Sequence, residues 1–210
     1  MEHRIRRHPE RSHPARDELD GILDAGFVAT LATVADGEPW VVPMLYARDG
    51  DRILLHGSTG AGALRHVAAG TPVALCVTHL DGIVVAESTY DSSANYRSAV
   101  VRGVPVPLTA ADKERALTVL ADAVIPGRSA EVRHNTAKEY AETLAMALPI
   151  VAGLWTAKIR TGAPSPATVP TLAWQGVVPV RQAYGAPEPV AGIAAPVPDS
   201  VRALIGRGAA

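Results

Sequence analysis

Hydrophobic and polar positions alternate with a period of two along much of the chain. FVATLATV (27–34), PWVVPMLYA (39–47) and RILLHGS (52–58) read as strands. ADGE (35–38) and RDGD (48–51) join them as tight turns with the Asp-Gly signature. TPVALCVTHLDGIVVAES (71–88) reads as two further strands around Asp81-Gly82. NYRSAVVRGVPVPL (95–108) is a sixth, with Pro105 and Pro107 marking an edge or an exit. GLWTAKIRTG (153–162) is the last, and its alternation puts Trp155, Ala157 and Ile159 on one face and Lys158 and Arg160 on the other.

Helical spacing is confined to short stretches. Asp17-Glu18-Leu19-Asp20 opens a helix that carries Leu19, Ile22 and Leu23 and stops at Gly26, and residues 59–69 suit another. Thr109 with Asp112 opens TAADKERALTVLADAVI, and Thr136 with Glu139 opens TAKEYAETLAMAL as a helix over 136–148. Six to seven antiparallel strands with few helices predict a mainly β fold with flanking helices, a closed or partly closed barrel.

Composition adds limits. Hydrophobic residues make up 48% and aromatic residues 4%, so small aliphatic side chains must fill the core. A formal net charge of −1 gives no general attraction to nucleic acid or to an anionic membrane. Five arginines in the first sixteen residues form a basic arm, but no aromatic residue is interleaved for base stacking. Neither an apolar leader nor an apolar run of about 18 residues is present, and the expectation is a cytoplasmic protein without membrane or nucleic-acid partners. Cys76, the single cysteine, lies in the apolar run VALCVTHL and reads as a buried small hydrophobe. Eight of the seventeen prolines fall between 161 and 210. The expected organisation is therefore a domain over 1–162, with the basic arm, and a Pro/Ala-rich extension over 163–210 that is packed over the body or partly disordered.

Most familiar catalytic patterns are missing. No histidine pair has the i, i+4 helical spacing of zinc sites, there is no G-x-S-x-G elbow, and Gly60-Ala61-Gly62 lacks the third glycine of a dinucleotide fingerprint. What remains is LLHGSTGAG (54–62), where an apolar strand ends in His56, Gly57, Ser58 and Thr59 before a helix. Hydroxyls and free backbone N–H groups at such a place suit a phosphate, or simply cap the helix. Asn95-Tyr96-Arg97-Ser98 is a second candidate, with a ring to stack on a planar ligand and a guanidinium for an anion. Trp155, Lys158 and Arg160 form a third.

These segments occur in a recognisable order: ATLAT, DGEPWVVPMLYA, LLHGS, VTHLDGIVVAES, NYRSAVVRG and AKIRTG. Together they closely resemble the flavin-nucleotide-binding branch of the pyridoxamine 5′-phosphate oxidase-like superfamily, which includes nitroimidazole-resistance proteins. The resemblance runs from about His8 to Gly162. It implies an FMN-binding split β-barrel, paired as a homodimer with cofactor sites at the interface, and FMN as the ligand. On that pattern Val42 and Pro43 face the flavin ring, and His56, Gly57 and Ser58 line the ribityl-phosphate side with Thr59 and Arg65. Tyr96, Arg97, Lys158 and Arg160 approach from the partner or the barrel rim.

One departure stands out. Many relatives carry lysine or arginine where this chain has Gly62 and Ala63, and a missing charge-assisted hydrogen bond costs about 1.5–3 kcal/mol. Haem is the alternative cofactor, because it needs an axial ligand and an apolar slot more than a phosphate cradle. His56 is then the iron ligand, with His66 or His79 as fallbacks and Arg65 or Arg97 for the propionates. The expected activity is an oxidoreductase acting on a small nitro, N-oxygenated or aromatic substrate, with His56 or Tyr96 as proton donor. The alternative is a non-catalytic flavin or haem carrier or sensor.

Overall fold

Asp36 and Gly37 adopt left-handed backbone (φ 52° and 83°), as a two-residue hairpin turn requires, and join β1 (Val28–Ala35) to β2 (Glu38–Asp49). Gly50 (φ 60°) does the same between β2 and β3 (Arg52–Ser58). The computed structural model describes residues 8–13, 15–167, 170–192 and 194–207. Residues 1–7, with three of the arm's five arginines, lie outside the described residues.

The remaining strands are β4 (Val73–Val85), β5 (Ser93–Gly103), β6 (Val106–Pro107), β7 (Thr143–Pro149), β8 (Trp155–Arg160) and β9 (Gly176–Pro179). The sheet is ordered β6-β7-β3-β2-β1-β4-β5-β8, every pairing is antiparallel, and β9 pairs with β4. It curls so that Leu31, Tyr46, Leu55, Leu75, Val101 and Met146 meet in one interior, closed by Leu19, Ile22 and Leu23 of α1 (Arg16–Asp24). This is the split-barrel architecture, with nine strands rather than six or seven.

Two readings of the sequence account for much of the difference. Asp81-Gly82 is not a turn: β4 runs straight through it, paired with β5 on both sides, and absorbs the extra residue as a register shift between Leu80 and Gly82. Arg97 holds the bulge by donating to both carboxylate oxygens of Asp81 (2.8 and 3.0 Å). The second difference lies at 136–148. The capping box of Thr136 and Glu139 forms, but α4 (Ala137–Glu142) ends after six residues and 143–149 becomes β7. β7 covers the free edge of β3 from Arg52 to Ser58, and the strand's need for backbone partners outweighs the helix propensity of Leu-Ala-Met-Ala-Leu.

On the outward side, α3 (Ala110–Val124) lays Ala116 and Leu120 over Ala47, Leu54 and Ala147. The C-terminal stretch packs as well: β9 extends the edge of β4, and Glu131 receives both the N–H and the hydroxyl of Ser200 (2.9 and 2.5 Å) at the start of α5 (Asp199–Gly206). Cys76 is half-buried rather than buried, and its sulfur lies 3.7 Å from the Thr78 hydroxyl. The period of two gives the inward positions to Val73, Leu75 and Val77, so Cys76 faces outward. Among the described residues no helix is long and apolar enough to cross a membrane.

Two polar anchors fix β2. The Tyr46 hydroxyl, fully buried, donates to the Leu23 carbonyl (2.6 Å), and burial pushes its acidity well down. Asp49 accepts from Arg115 and Arg52, and the Arg115 guanidinium, with Arg52 beside it, holds its carboxyl below the usual range. Tyr46→Phe removes one donor and leaves the carbonyl dry, and a loss of about 1–3 kcal/mol in urea unfolding is expected. A carboxyl with a lowered folded pKa contributes stability above its unfolded pKa of about 3.9, and that contribution disappears as pH falls through the folded value. The stability gap between wild type and Asp49→Asn should therefore be constant at neutral pH and shrink in acid, measured by chemical unfolding at successive pH values.

Candidate functional site

β2 and β3 pair only over Tyr46–Asp49 and Arg52–Leu55, then part. Between them opens a hollow of about 320 Å³ lined by Trp40, Val42, Pro43, Leu45, His56 and Leu64, a volume at the lower end of small-ligand pockets. One wall is an unpaired strand edge. The Tyr46 N–H donates to the Phe27 carbonyl (2.9 Å), so by alternation the even-numbered backbone groups of β2 turn to β1 and the odd-numbered ones turn to the hollow. The N–H groups of Val41 and Leu45 and the carbonyl of Pro43 thus face it. Pro43, which has no N–H to offer, sits where a ladder bond is not needed.

His56 supplies the other wall. It is half-buried, its Nδ1 is buried with no hydrogen-bond partner, and burial holds the imidazole below its usual pKa. The neutral ring is thus favoured. α2 (Gly62–Ala68) closes the end of the hollow with Leu64. Its approach depends on Gly57, where a Cβ would run into Leu64 Cδ1. Ser58 and Thr59 do not cap α2, whose N-cap is Ala61. The Ser58 hydroxyl instead accepts from the Gly60 N–H (3.1 Å), and the Thr59 hydroxyl donates to the Glu142 carbonyl (3.2 Å). Arg65 is exposed on α2, so no cation from this helix enters the hollow.

The other expected residues gather elsewhere. Tyr96 and Lys158 share the outward side of β5 and β8, with the ammonium 5.9 Å from the ring centroid. Arg160 donates to the Ala94 carbonyl and to Asn95 Oδ1. Arg97 points to the opposite side of β5 and is fully engaged by Asp81. Three strands separate His56 from Tyr96 in the sheet order, and Tyr96 is not among the residues that line the hollow. His79 Nε2 is hydrogen-bonded to the Ile22 carbonyl (2.9 Å), and His66 is exposed beside Asp36 (4.0 Å). Among the described residues no three His, Cys, Asp or Glu side chains cluster to hold a metal ion. That leaves His56 as the histidine directed into an apolar hollow.

Sequence reasoning located His56, Pro43 and Val42 but missed Trp40, Leu64 and the free edge at Val41 and Leu45. The proline inside an otherwise regular strand was the available signal.

The family model for pyridoxamine 5′-phosphate oxidase matches residues 15–153. The chain belongs to this family. Along almost its whole length it is also similar to a solved FAD and heme binding protein from Mycobacterium smegmatis, at 43% identity, with 93% of this chain and 97% of that one covered and a TM-score of 0.90. The flavocytochrome Anf3 from Azotobacter vinelandii is 28% identical, covering 95% and 94%, with a TM-score of 0.87. A candidate 5-nitroimidazole antibiotic resistance protein from Bacteroides thetaiotaomicron, 17% identical over 70% and 86% with a TM-score of 0.59, shares the fold. No curated protein matches.

Gly57→Ala forces Leu64 and α2 outward, and overpacking of this kind costs about 1–3 kcal/mol. The expected outcome is a lower thermal midpoint together with weaker ligand retention, read by melting curves with and without ligand.

Proposed function

We propose that the protein is a flavin- and haem-binding oxidoreductase in which His56 would hold the haem iron. The observation that carries this is His56 itself: a half-buried, neutral-favouring imidazole in an apolar hollow, with a buried nitrogen that no protein group uses. A lone unsatisfied polar atom of this kind calls for a function. Support comes from the FAD and heme binding protein that is 43% identical along nearly the full chain.

The residues fit the groups. Trp40, Val42, Leu45 and Leu64 give the dry walls that a macrocycle needs, and His56 gives the ligand. The backbone donors of Val41 and Leu45 suit the polar edge of a planar ring. Lys158, with no carboxylate partner among the described residues, together with Arg160 and the stacking face of Tyr96, suits the anionic end of a flavin nucleotide. The flavin is then FMN or FAD; FAD is the form named for the M. smegmatis protein. When bound, the two groups supply one- and two-electron transfer, while this chain's part is to orient them, exclude water and set their potentials.

The reading extends to the assembly. Val28, Val34, Val41, Leu45 and Leu80 are large apolar side chains exposed on the outward side of β1, β2 and β4. A second copy laid across this face would cover them and bring its own Tyr96 and Lys158 toward the hollow, which one protomer does not do. The substrate class stays a small nitro, N-oxygenated or aromatic molecule, with Tyr96 and His56 as the candidate proton donors.

The test is the absorption spectrum of the protein reconstituted with haem and with flavin. Both chromophores should be retained, and His56→Ala should lose or shift the Soret band while the flavin bands persist. A protein that stays colourless with both, or a His56→Ala Soret band identical to wild type, overturns the assignment. Lys158→Ala should weaken flavin binding roughly 10- to 100-fold, the equivalent of one charge-assisted hydrogen bond.

A further inference from the structure

Most histidines that bind iron or zinc donate their second ring N–H to a carboxylate or a carbonyl, which fixes the ring and makes the ligating nitrogen more basic. His56 is built differently. Its Nδ1 is buried, yet no donor or acceptor among the described residues reaches it. The neighbourhood explains this. Across the ladder His56 is paired with Ala145, which is 1% exposed, and its neighbour Leu55 faces Met146. On the same side of β3, Leu54 is sealed beneath Ala116 and Leu120 of α3. None of these side chains carries an oxygen or nitrogen acceptor; β3 bonds β7 there through Leu55 and Gly57, while the backbone N–H and C=O of His56 turn toward the parted edge of β2.

We infer that His56 holds haem iron through Nε2 as a plain neutral imidazole, with an Nδ1–H that has no acceptor. The inference rests on the haem reading above and concerns how the ligand is tuned. Ligation through Nε2 leaves the ring proton on Nδ1, in a spot where nothing accepts it. Such an imidazole donates less electron density to iron than one backed by a carboxylate, so it stabilises ferrous over ferric iron and raises the reduction potential. It also makes the bond weak and exchangeable, because forming it strands a buried N–H. Ala145 is therefore a positioning residue by omission: its methyl group occupies the place where many metal sites put the acceptor.

The experiment compares haem-loaded wild type with Ala145→Ser and Ala145→Val. Serine puts an acceptor opposite His56 on the same face of the ladder, and valine changes volume without one. Three readouts apply: the iron–histidine stretching band of the ferrous protein, the reduction potential, and the rate at which apomyoglobin extracts the haem. Wild type should show the low-frequency stretch of an unassisted imidazole. Ala145→Ser should raise that frequency, lower the potential and slow haem loss about tenfold, whereas Ala145→Val should leave frequency and potential at the wild-type values.

A wild-type stretch already at the frequency of a hydrogen-bonded imidazole overturns the inference, and so does an Ala145→Ser protein indistinguishable from wild type. Should the serine variant fail to fold, the wild-type band decides alone. If His56→Ala instead keeps an unchanged Soret band, it is the haem assignment to His56 that fails, a result distinct from either of these.

Discussion

β2 has two edges, and only one is satisfied along its whole length. From Glu38 to Leu45 it is bound to β1 alone, while β3 joins it only from Tyr46 onward. Tyr46 stands at the fork. Its N–H is tied to Phe27, its hydroxyl to Leu23, and its ring fills the interior, so β2 cannot swing across to close on β3. The hollow is the direct consequence. It exposes backbone polar groups on one side and His56 on the other, and α2 walls its end because Gly57 allows Leu64 so near. A continuous β2–β3 ladder would satisfy more hydrogen bonds, and the fold forgoes them at the one place where a ring could enter.

Charge is sorted by face in the same sheet. Inward, Arg97 is neutralised by Asp81 at the bulge, and that pair fixes the strand rather than meeting a ligand. Outward, Lys158 and Arg160 find a ring, a carbonyl and an amide but, among the described residues, no carboxylate. Arg102, also outward on β5, has a buried Nη1 without a partner. A donor that has given up water without gaining an acceptor is held at a cost, and a bound phosphate would offset it. The proposed nucleotide thus answers a need that the sheet itself creates. Anion binding is thereby proposed on β5 and β8 rather than at the Gly62-Ala63 segment.

Much of this was legible in the residues. The hairpin turns at Asp36-Gly37 and Gly50, the capping box at Thr136 and the alternation of WTAKIR are local signals, and local signals survive folding. Asp81-Gly82 misled because the same dipeptide serves a hairpin or a bulge, and Arg97, sixteen residues on, makes the choice. Residues 143–149 misled because Leu-Ala-Met-Ala-Leu fits either period, and only the bare edge of β3 settles it. β9 left no trace among the prolines, since its four residues become a strand through the stretch of β4 beyond its pairing with β1. His56 could be placed on the face of Leu54 from alternation alone. That its Nδ1 meets nothing could not, because the lack of a partner is a property of β7, α3 and β2 together.

The two cofactors proposed here make different demands, and the fold separates them accordingly. Iron needs one good ligand and a dry wall, which a fork between two strands supplies from within a single protomer. A flavin nucleotide needs an extended surface with cations at one end, which the outward side of β5 and β8 provides some four strand positions away. For electrons to pass between the two, the outward side of β5 and β8 must be brought to the hollow. Curling of the sheet does not do this: it sets β5 against β7 at Gly103, and Tyr96 and Lys158 stay outside the lining of the hollow. Pairing with a second copy through the exposed apolar face can, since each hollow would then be completed by the partner's β5 and β8. In that arrangement the apolar face and the cations of β5 and β8 would complete a hollow whose imidazole each protomer already supplies.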